Sequence, residues 1–193
     1  MASAAALGAA RVRAQSLDSP GLAPEPRFPL DRGLPLAEQL RILDSANKWV
    51  RLENENTGEV FQAAYTGLGL YDAAVRDRFN RFMRDWRENA VIVMDLALLE
   101  VLHALHLAAE QRPLHIVSGY RTPRTNAMLA TISEGVAPNS LHMRGLAADF
   151  FVPGFDLGAL RDAAIALQAG GVGFYPASGF IHVDTGPVRT WTL

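Results

Sequence analysis

The chain has 193 residues, 49% of them hydrophobic and 20% charged, which suits one globular domain with a real core and an added arm or tail. Net charge is −2 and Lys and Arg form no long run, so nothing points to nucleic acid, and no apolar stretch reaches the roughly 20 residues a membrane-spanning helix needs. Cysteine is absent, so disulfides contribute nothing and any bound metal has to use His and carboxylate ligands.

Met1 to Ala10 is rich in alanine, and small residues continue to Ala14. This reads as an export-signal remnant ending at a small-x-small cleavage site, although no basic region precedes it. The stretch that follows, to Pro35, is proline-rich and reads as an extended linker. Residues 1–35 are therefore assigned to this arm and residues 36–193 to the folded domain, with a hairpin over 48–66 leading into it.

Leu36, Leu40 and Leu43 have helix-compatible spacing over Leu36 to Ala46. Trp49 to Glu53 and Glu59 to Tyr65 flank a Gly-containing loop, which predicts the hairpin. Tyr71, Val75, Phe79, Phe82, Met83 and Trp86 repeat at helical spacing and predict an amphipathic helix with an aromatic core stripe. Asp95 is an expected N-cap for a helix carrying Leu98, Leu99, Leu102 and Leu105. Leu114 to Val117 reads as a strand, and Pro123 as the first residue of a helix running to about Ile132.

A strand is expected over Leu146 to Val152, and Asp156 caps a helix from Leu157 to Gln168. Gly170 and Gly171 are expected to end that helix in the left-handed conformation. Val172 to Tyr175, Phe180 to Asp184 and Val188 to Trp191 read as short strands. Helices come mostly first and strands mostly last, without β-α-β alternation. The predicted fold is α+β with a small, mainly antiparallel sheet.

The chemistry concentrates in two stretches. His142 and Asp149 lie seven apart in Ser-Leu-His-Met-Arg-Gly-Leu-Ala-Ala-Asp, and His182 lies in Gly-Phe-Ile-His-Val-Asp-Thr-Gly. Two imidazoles and one carboxylate give Zn2+ three ligands and leave a fourth position for water, whose pKa falls to about 7 at such a site. Asp149 sits in an apolar run, where a carboxylate needs a partner; a cation serves, and a salt bridge to Arg121 or Arg144 is the alternative. Gly145 lets the backbone fold back so that both side chains face one ion.

His182 and Asp184 alternate by two and leave a strand on the same face. Asp184 is then either the general base or a group that orients an imidazole, and the spacing places the general base slightly ahead. Arg121, where a strand hands over to a loop, is the candidate to bind a substrate carboxylate or to stabilise an oxyanion; a surface ion pair is its structural role. Arg189 is a weaker substrate-carboxylate candidate, and Ser140 and Tyr175 are candidate cleft residues. Glu100, His103 and His106 have i, i+3 spacing, but the surrounding leucines make them the edge of a packed helix. His115 reads as a satisfied strand histidine.

These blocks resemble the zinc peptidases of the M15 type, and within them the DUF882 or YcbK-like, murein-endopeptidase-K-like branch. The resemblance covers roughly Val50 to Trp191. It rests on Asn56-Thr-Gly-Glu59, Met94-Asp-Leu96, Ser118-Gly-Tyr-Arg-Thr-Pro123, Thr125-Asn126, Ser140 to Gly145 with Ala148-Asp149, Gly170 to Pro176, and Phe180 to Gly186 with Arg189 and Trp191. It implies the D-Ala-D-Ala peptidase/hedgehog-like zinc fold, zinc on His142, Asp149 and His182, and Arg121 facing the substrate. It also implies hydrolysis of peptidoglycan stem peptides or their cross-links outside the cytoplasmic membrane, in the periplasm or otherwise after export.

An endopeptidase ranks ahead of a D,D-carboxypeptidase. A cell-wall binding domain without activity is the other alternative, because many M15 enzymes place a catalytic Glu three residues before the last His and that position is Gly179 here. Asp184 is the expected substitute base. The sequence leaves the oligomeric state undetermined.

Overall fold

The structure is a computed structural model that describes residues 48–65, 73–133 and 135–193. The expected signal remnant, the linker, the helix over Leu36 to Ala46 and Tyr71 lie outside the described residues. Everything described belongs to one compact unit, Asp31–Leu193. No helix among the described residues is long and apolar enough to cross a membrane.

The elements in chain order are β1 (Lys48–Asn54), β2 (Val60–Tyr65), α1 (Ala73–Phe82), α2 (Leu96–Ala108), β3 (Leu114–Ser118), α3 (Pro123–Ala130), a 3-10 turn (Leu141–Arg144), β4 (Ala147–Phe151), α4 (Leu157–Leu167), β5 (Gly171–Tyr175), β6 (Phe180–Asp184) and β7 (Arg189–Thr192). The strands form a seven-stranded sheet in the order β2-β1-β3-β4-β6-β5-β7. Only β1/β3 and β5/β7 run parallel. The architecture is α+β with a mainly antiparallel sheet, as the sequence predicts.

Local chemistry explains most boundaries. In the β1–β2 hairpin, Asn54 Oδ1 accepts from the backbone N–H of Asn56 and Thr57, which closes the turn. Asp95 and Asp156 cap α2 and α4 by accepting from Ala97 N and Ala159 N. Thr122 caps α3, with Pro123 in its first turn. The aromatic stripe stops short of its predicted end. Past α1 the chain forms an Asp85–Ala90 bridge, and Trp86 is left 37% exposed. The end of α4 also differs, because Gln168 and not a glycine takes the left-handed conformation. Gly170 and Gly171 have another reason to be glycine, described with the site.

Helix α2 is mostly apolar, with Glu100, His103 and His106 among its leucines, and nine of its thirteen residues are buried. It packs on β1 and α4; α4 covers β5 and β6, and α1 covers β2. Leu52, Phe79, Leu102, Phe150 and Ile181 are fully buried in one continuous core. Burying each such side chain contributes about 1.5–3 kcal/mol. Period-2 alternation then decides the fate of their neighbours. Ala148, Phe150, Ile181, Val183 and Val172 point into the core, so Asp149, His182 and Gly173 must leave the opposite face.

The strand register turns that face into a row. Ser118 pairs with Asp149, Asp149 with His182, His182 with Gly173, and Gly173 with Trp191. A bulge between Ile116 and Ser118 produces the first of these pairings. Residues from five strands are thus lined up side by side across the middle of the sheet.

Candidate metal centre

His142 enters this row from outside the sheet. Ser140 caps the 3-10 turn, its Oγ accepting from His142 N at 3.3 Å. Gly145 ends the turn at φ +70°, a conformation that glycine adopts without cost. A Cβ there would also lie 2.9 Å from the Val93 carbonyl oxygen, so the chain reverses tightly against a neighbouring segment. The turn hangs the His142 imidazole over β4 and β6.

Three side-chain atoms meet there. His142 Nε2 lies 3.1 Å from Asp149 Oδ1 and 3.2 Å from His182 Nδ1, and His182 Nδ1 lies 2.8 Å from the same oxygen. All three residues are buried, at 2%, 4% and 7% exposure. They are the one such group of His, Asp and Glu ligands among the described residues.

The other polar atoms of each side chain orient it. His142 Nδ1–H donates to the Gly119 carbonyl at 2.7 Å, which leaves Nε2 with a lone pair facing inward. His182 Nε2–H donates to Asp184 Oδ2 at 3.0 Å, which leaves the Nδ1 lone pair facing inward. Arg121 pairs with Asp149 Oδ2, and Oδ1 faces inward. Three acceptors therefore converge with no donor between them, an arrangement that calls for a cation or an added proton. Their separations approach the ~3.3 Å edge of a tetrahedron with metal–ligand bonds of about 2.0–2.1 Å. The donor set fits Zn2+.

Burial raises the pKa of Asp149, but the His142 charge, the imidazole hydrogen bonds and Arg121 outweigh it and hold the carboxyl well below the usual range. Burial pushes His142 down. His182 is pushed down by burial yet raised overall by its hydrogen bonds to Asp149 and Asp184.

Asp184 does not sit where the sequence reading places a general base. It contacts His182 through Nε2, the ring nitrogen that faces away from the convergence point. Its oxygens also accept from Gly171 N at 3.0 Å, Gly186 N at 2.8 Å, and Arg189 Nη1 and Nη2 at 3.1 and 2.7 Å. Burial raises its pKa, but these bonds prevail and hold the carboxyl well below the usual range. Asp184 is a saturated acceptor behind His182. The two glycines make this possible: a Cβ on Gly171 would lie 2.5 Å from Asp184 Oδ2, and one on Gly170 would collide with the Asp184 carbonyl.

Arg189 is likewise drawn away from the role of substrate cation. Both terminal nitrogens bond Asp184, Nη1 also donates to the Pro187 carbonyl at 3.0 Å, and the guanidinium lies 5.0 Å from the Trp191 ring. Arg121 combines the two readings weighed for it. It pairs with Asp149 and donates from Nε to Ser118 Oγ at 2.8 Å, yet it also lines the cleft. Arg144 is exposed and takes no part.

The convergence point opens into a cleft of about 290 Å³ lined by Arg121, Ser140, Tyr175, Phe180, Arg189 and Trp191, among others. Gly173 admits the Trp191 indole: a Cβ there would lie 2.6 Å from the ring. The indole lies 5.2 Å from the His182 ring and donates to Tyr175 OH at 2.9 Å. Tyr175 also stacks on Phe180 at 4.6 Å. Burial raises the Tyr175 pKa, so the phenol stays protonated. With its oxygen accepting from Trp191, its own O–H is free to donate into the cleft.

The sequence reading did not single out Trp191 or Gly173 by role, or Arg87, which also lines the cleft. The register of β5 and β7 brings the first two together, and one-dimensional spacing carries no signal for it.

The His103 group is helix packing. His103 donates to the Trp49 carbonyl at 2.8 Å, Glu100 pairs with Lys48 at 2.8 Å, and His106 meets the Trp49 ring edge-on. Burial lowers the His106 pKa to about 4, so it is neutral. His115 pairs with Glu55 and, at 3.7 Å, with Glu53.

A buried His-Asp-His corner at the floor of an open cleft, on the free face of an antiparallel sheet, has the form of a hydrolytic metal centre. The chain belongs to the M15-type peptidase family whose model is described as peptidoglycan L,D-endopeptidase MepK, with residues 44–191 matched. It is similar to the peptidoglycan L,D-endopeptidase MepK of Escherichia coli strain K12, with 40% identity over 141 residues, covering 72% of this chain and 78% of the relative. It is also similar to the probable peptidoglycan L,D-endopeptidase MepK of Haemophilus influenzae, with 41% identity over 140 residues, covering 72% and 75%.

Proposed function

We propose that this protein is an exported, zinc-dependent endopeptidase that cuts peptide cross-links in peptidoglycan. The observation that carries the reading is the convergence of three lone pairs, on His142, Asp149 and His182, beneath an open cleft. Family membership and the names of the relatives supply the substrate class. When bound, zinc supplies Lewis acidity, which polarises an amide carbonyl and acidifies water.

The chain's own residues account for the rest. Asp184 and Gly119 fix the two imidazole tautomers and so the direction of each lone pair. Arg121 holds Asp149 by one oxygen and leaves the other for the ion. Tyr175 O–H donates to the carbonyl oxygen as it gains negative charge, with Trp191 holding the phenol in place. Among the described residues, no carboxylate other than Asp149 lines the cleft.

The test is digestion of purified sacculi, with fragments resolved by mass spectrometry. Metal-loaded protein is expected to release cross-link fragments, and chelator to stop it until Zn2+ is restored. Release of single terminal D-Ala residues would instead make it a carboxypeptidase. Co-sedimentation with sacculi without any cleavage would make it a binding domain.

A further inference from the structure

Arg87 brings a third guanidinium to the cleft, with the buried Asp85 carboxylate close enough to attract it but not paired with it. The cleft is lined by three arginines and one carboxylate among the described residues. Arg121 is neutralised by Asp149, and Arg189 by Asp184. Arg87 makes no ion pair with a carboxylate among the described residues. Its neighbour Glu88 faces Arg124 at 3.4 Å.

The backbone holds Arg87 in place. The buried Asp85 carboxylate accepts from Arg87 N at 3.0 Å and from Thr122 N at 2.9 Å, tying the Asp85–Ala90 turn to the start of α3. The guanidinium lies 4.4 Å over the Trp86 ring, which orients it without satisfying its hydrogen bonds. Its pKa is lowered, by partial burial first and by the nearby Arg121 charge, against the pull of Asp85. A guanidinium that faces the cleft with no ion-pair partner among the described residues leaves a place for an anion beside it.

The geometry points to Arg87 as a specificity-determining residue that binds a free carboxylate flanking the scissile amide. This rests on the peptidase reading above and narrows its substrate class to anionic peptides. A planar guanidinium engages a carboxylate in two parallel hydrogen bonds, which a carboxamide cannot reproduce.

The experiment compares a synthetic stem tripeptide ending in a free carboxylate with its carboxamide. Binding to metal-loaded wild type, Arg87→Gln and Arg87→Lys is measured by calorimetry, and kcat and KM are measured on cross-linked peptides in the same two forms. Wild type is expected to prefer the free acid by about 10- to 100-fold, in Kd and in KM. Arg87→Gln brings the acid-to-amide ratio close to one, and Arg87→Lys restores part of it.

A ratio unchanged in Arg87→Gln, or no preference in wild type, overturns the proposal even if sacculi are cleaved. Failure to cleave sacculi with the acid-to-amide binding ratio intact and Arg87-dependent would sink the peptidase reading and leave the carboxylate site standing. Thermal melts confirm that both variants fold, as expected for an exposed side chain.

Discussion

Replacement of Asp184 tests the arrangement behind the site most directly. Its side chain is wholly buried and accepts five hydrogen bonds, from His182, Gly171, Gly186 and both terminal nitrogens of Arg189. In Asp184→Asn, Oδ1 keeps the two backbone donors, but an NH2 replaces Oδ2 and confronts His182 Nε2–H and Arg189 Nη2–H. His182 relieves the clash by moving its proton to Nδ1, the atom that should face the ion. Loss of such an orienting partner lowers metal affinity about 10- to 100-fold, or about 1.4–2.7 kcal/mol.

Asp184→Ala removes all five bonds. Arg189 is 43% exposed, so water replaces its share and the ion pair counts for little. Stranding the two backbone donors and the imidazole N–H is expected to cost about 2–5 kcal/mol. For a domain of this size that lowers the Tm by roughly 6–15 °C. The assays are competition for Zn2+ against a chromophoric chelator and thermal melts of the metal-free protein. Wild-type metal affinity in Asp184→Asn would refute the positioning role. If affinity and Tm both held while hydrolysis vanished, Asp184 would handle a proton itself.

Tyr175→Phe keeps the stack on Phe180 but removes the donor; kcat is expected to fall about 100-fold with little change in KM, and equal loss through KM alone would remove Tyr175 from the chemistry. Gly173→Ala drives a methyl into the Trp191 indole, so tryptophan emission should shift to the red and stability fall by about 1–3 kcal/mol; an unchanged spectrum would mean the indole does not rest on β5.

Asp85 has its pKa raised by burial but lowered overall by bonds from Thr125, Thr122 and Arg87. Its contribution is therefore present above the unfolded value of 3.8 and disappears as pH falls through the lower folded value. Urea melts should show Asp85→Asn about 1–2 kcal/mol less stable than wild type above pH 5, with the gap closing below pH 4; a gap that widens in acid would contradict this.

The sequence by itself determined the local elements and the ligand types. Asn54, Asp95, Thr122 and Asp156 are polar caps beside apolar runs, and each satisfies backbone groups within three residues of itself. Such bonds depend on neighbours in the chain, so they can be read in one dimension. The grouping of His142, Asp149 and His182 came from the resemblance of their sequence blocks to a known family, together with an Asp149 carboxylate in an apolar run that needs a partner. Alternation in β6 correctly put His182 and Asp184 on one face.

Only the tertiary structure decided which nitrogen of His182 faces Asp149 and which faces Asp184. That choice depends on the rotation of one ring between two carboxylates thirty-five residues apart in sequence, held by the β4/β6 register. The same holds for Arg189, whose charge is captured by Asp184 because Gly170 and Gly171 let the strands close on it. Trp191 reaches the cleft through a parallel pairing of β7 with β5, and Arg87 through a turn tied to α3 by Asp85. Pairing across a sheet is set by where distant strands bury their apolar faces, and that free energy belongs to the packed whole.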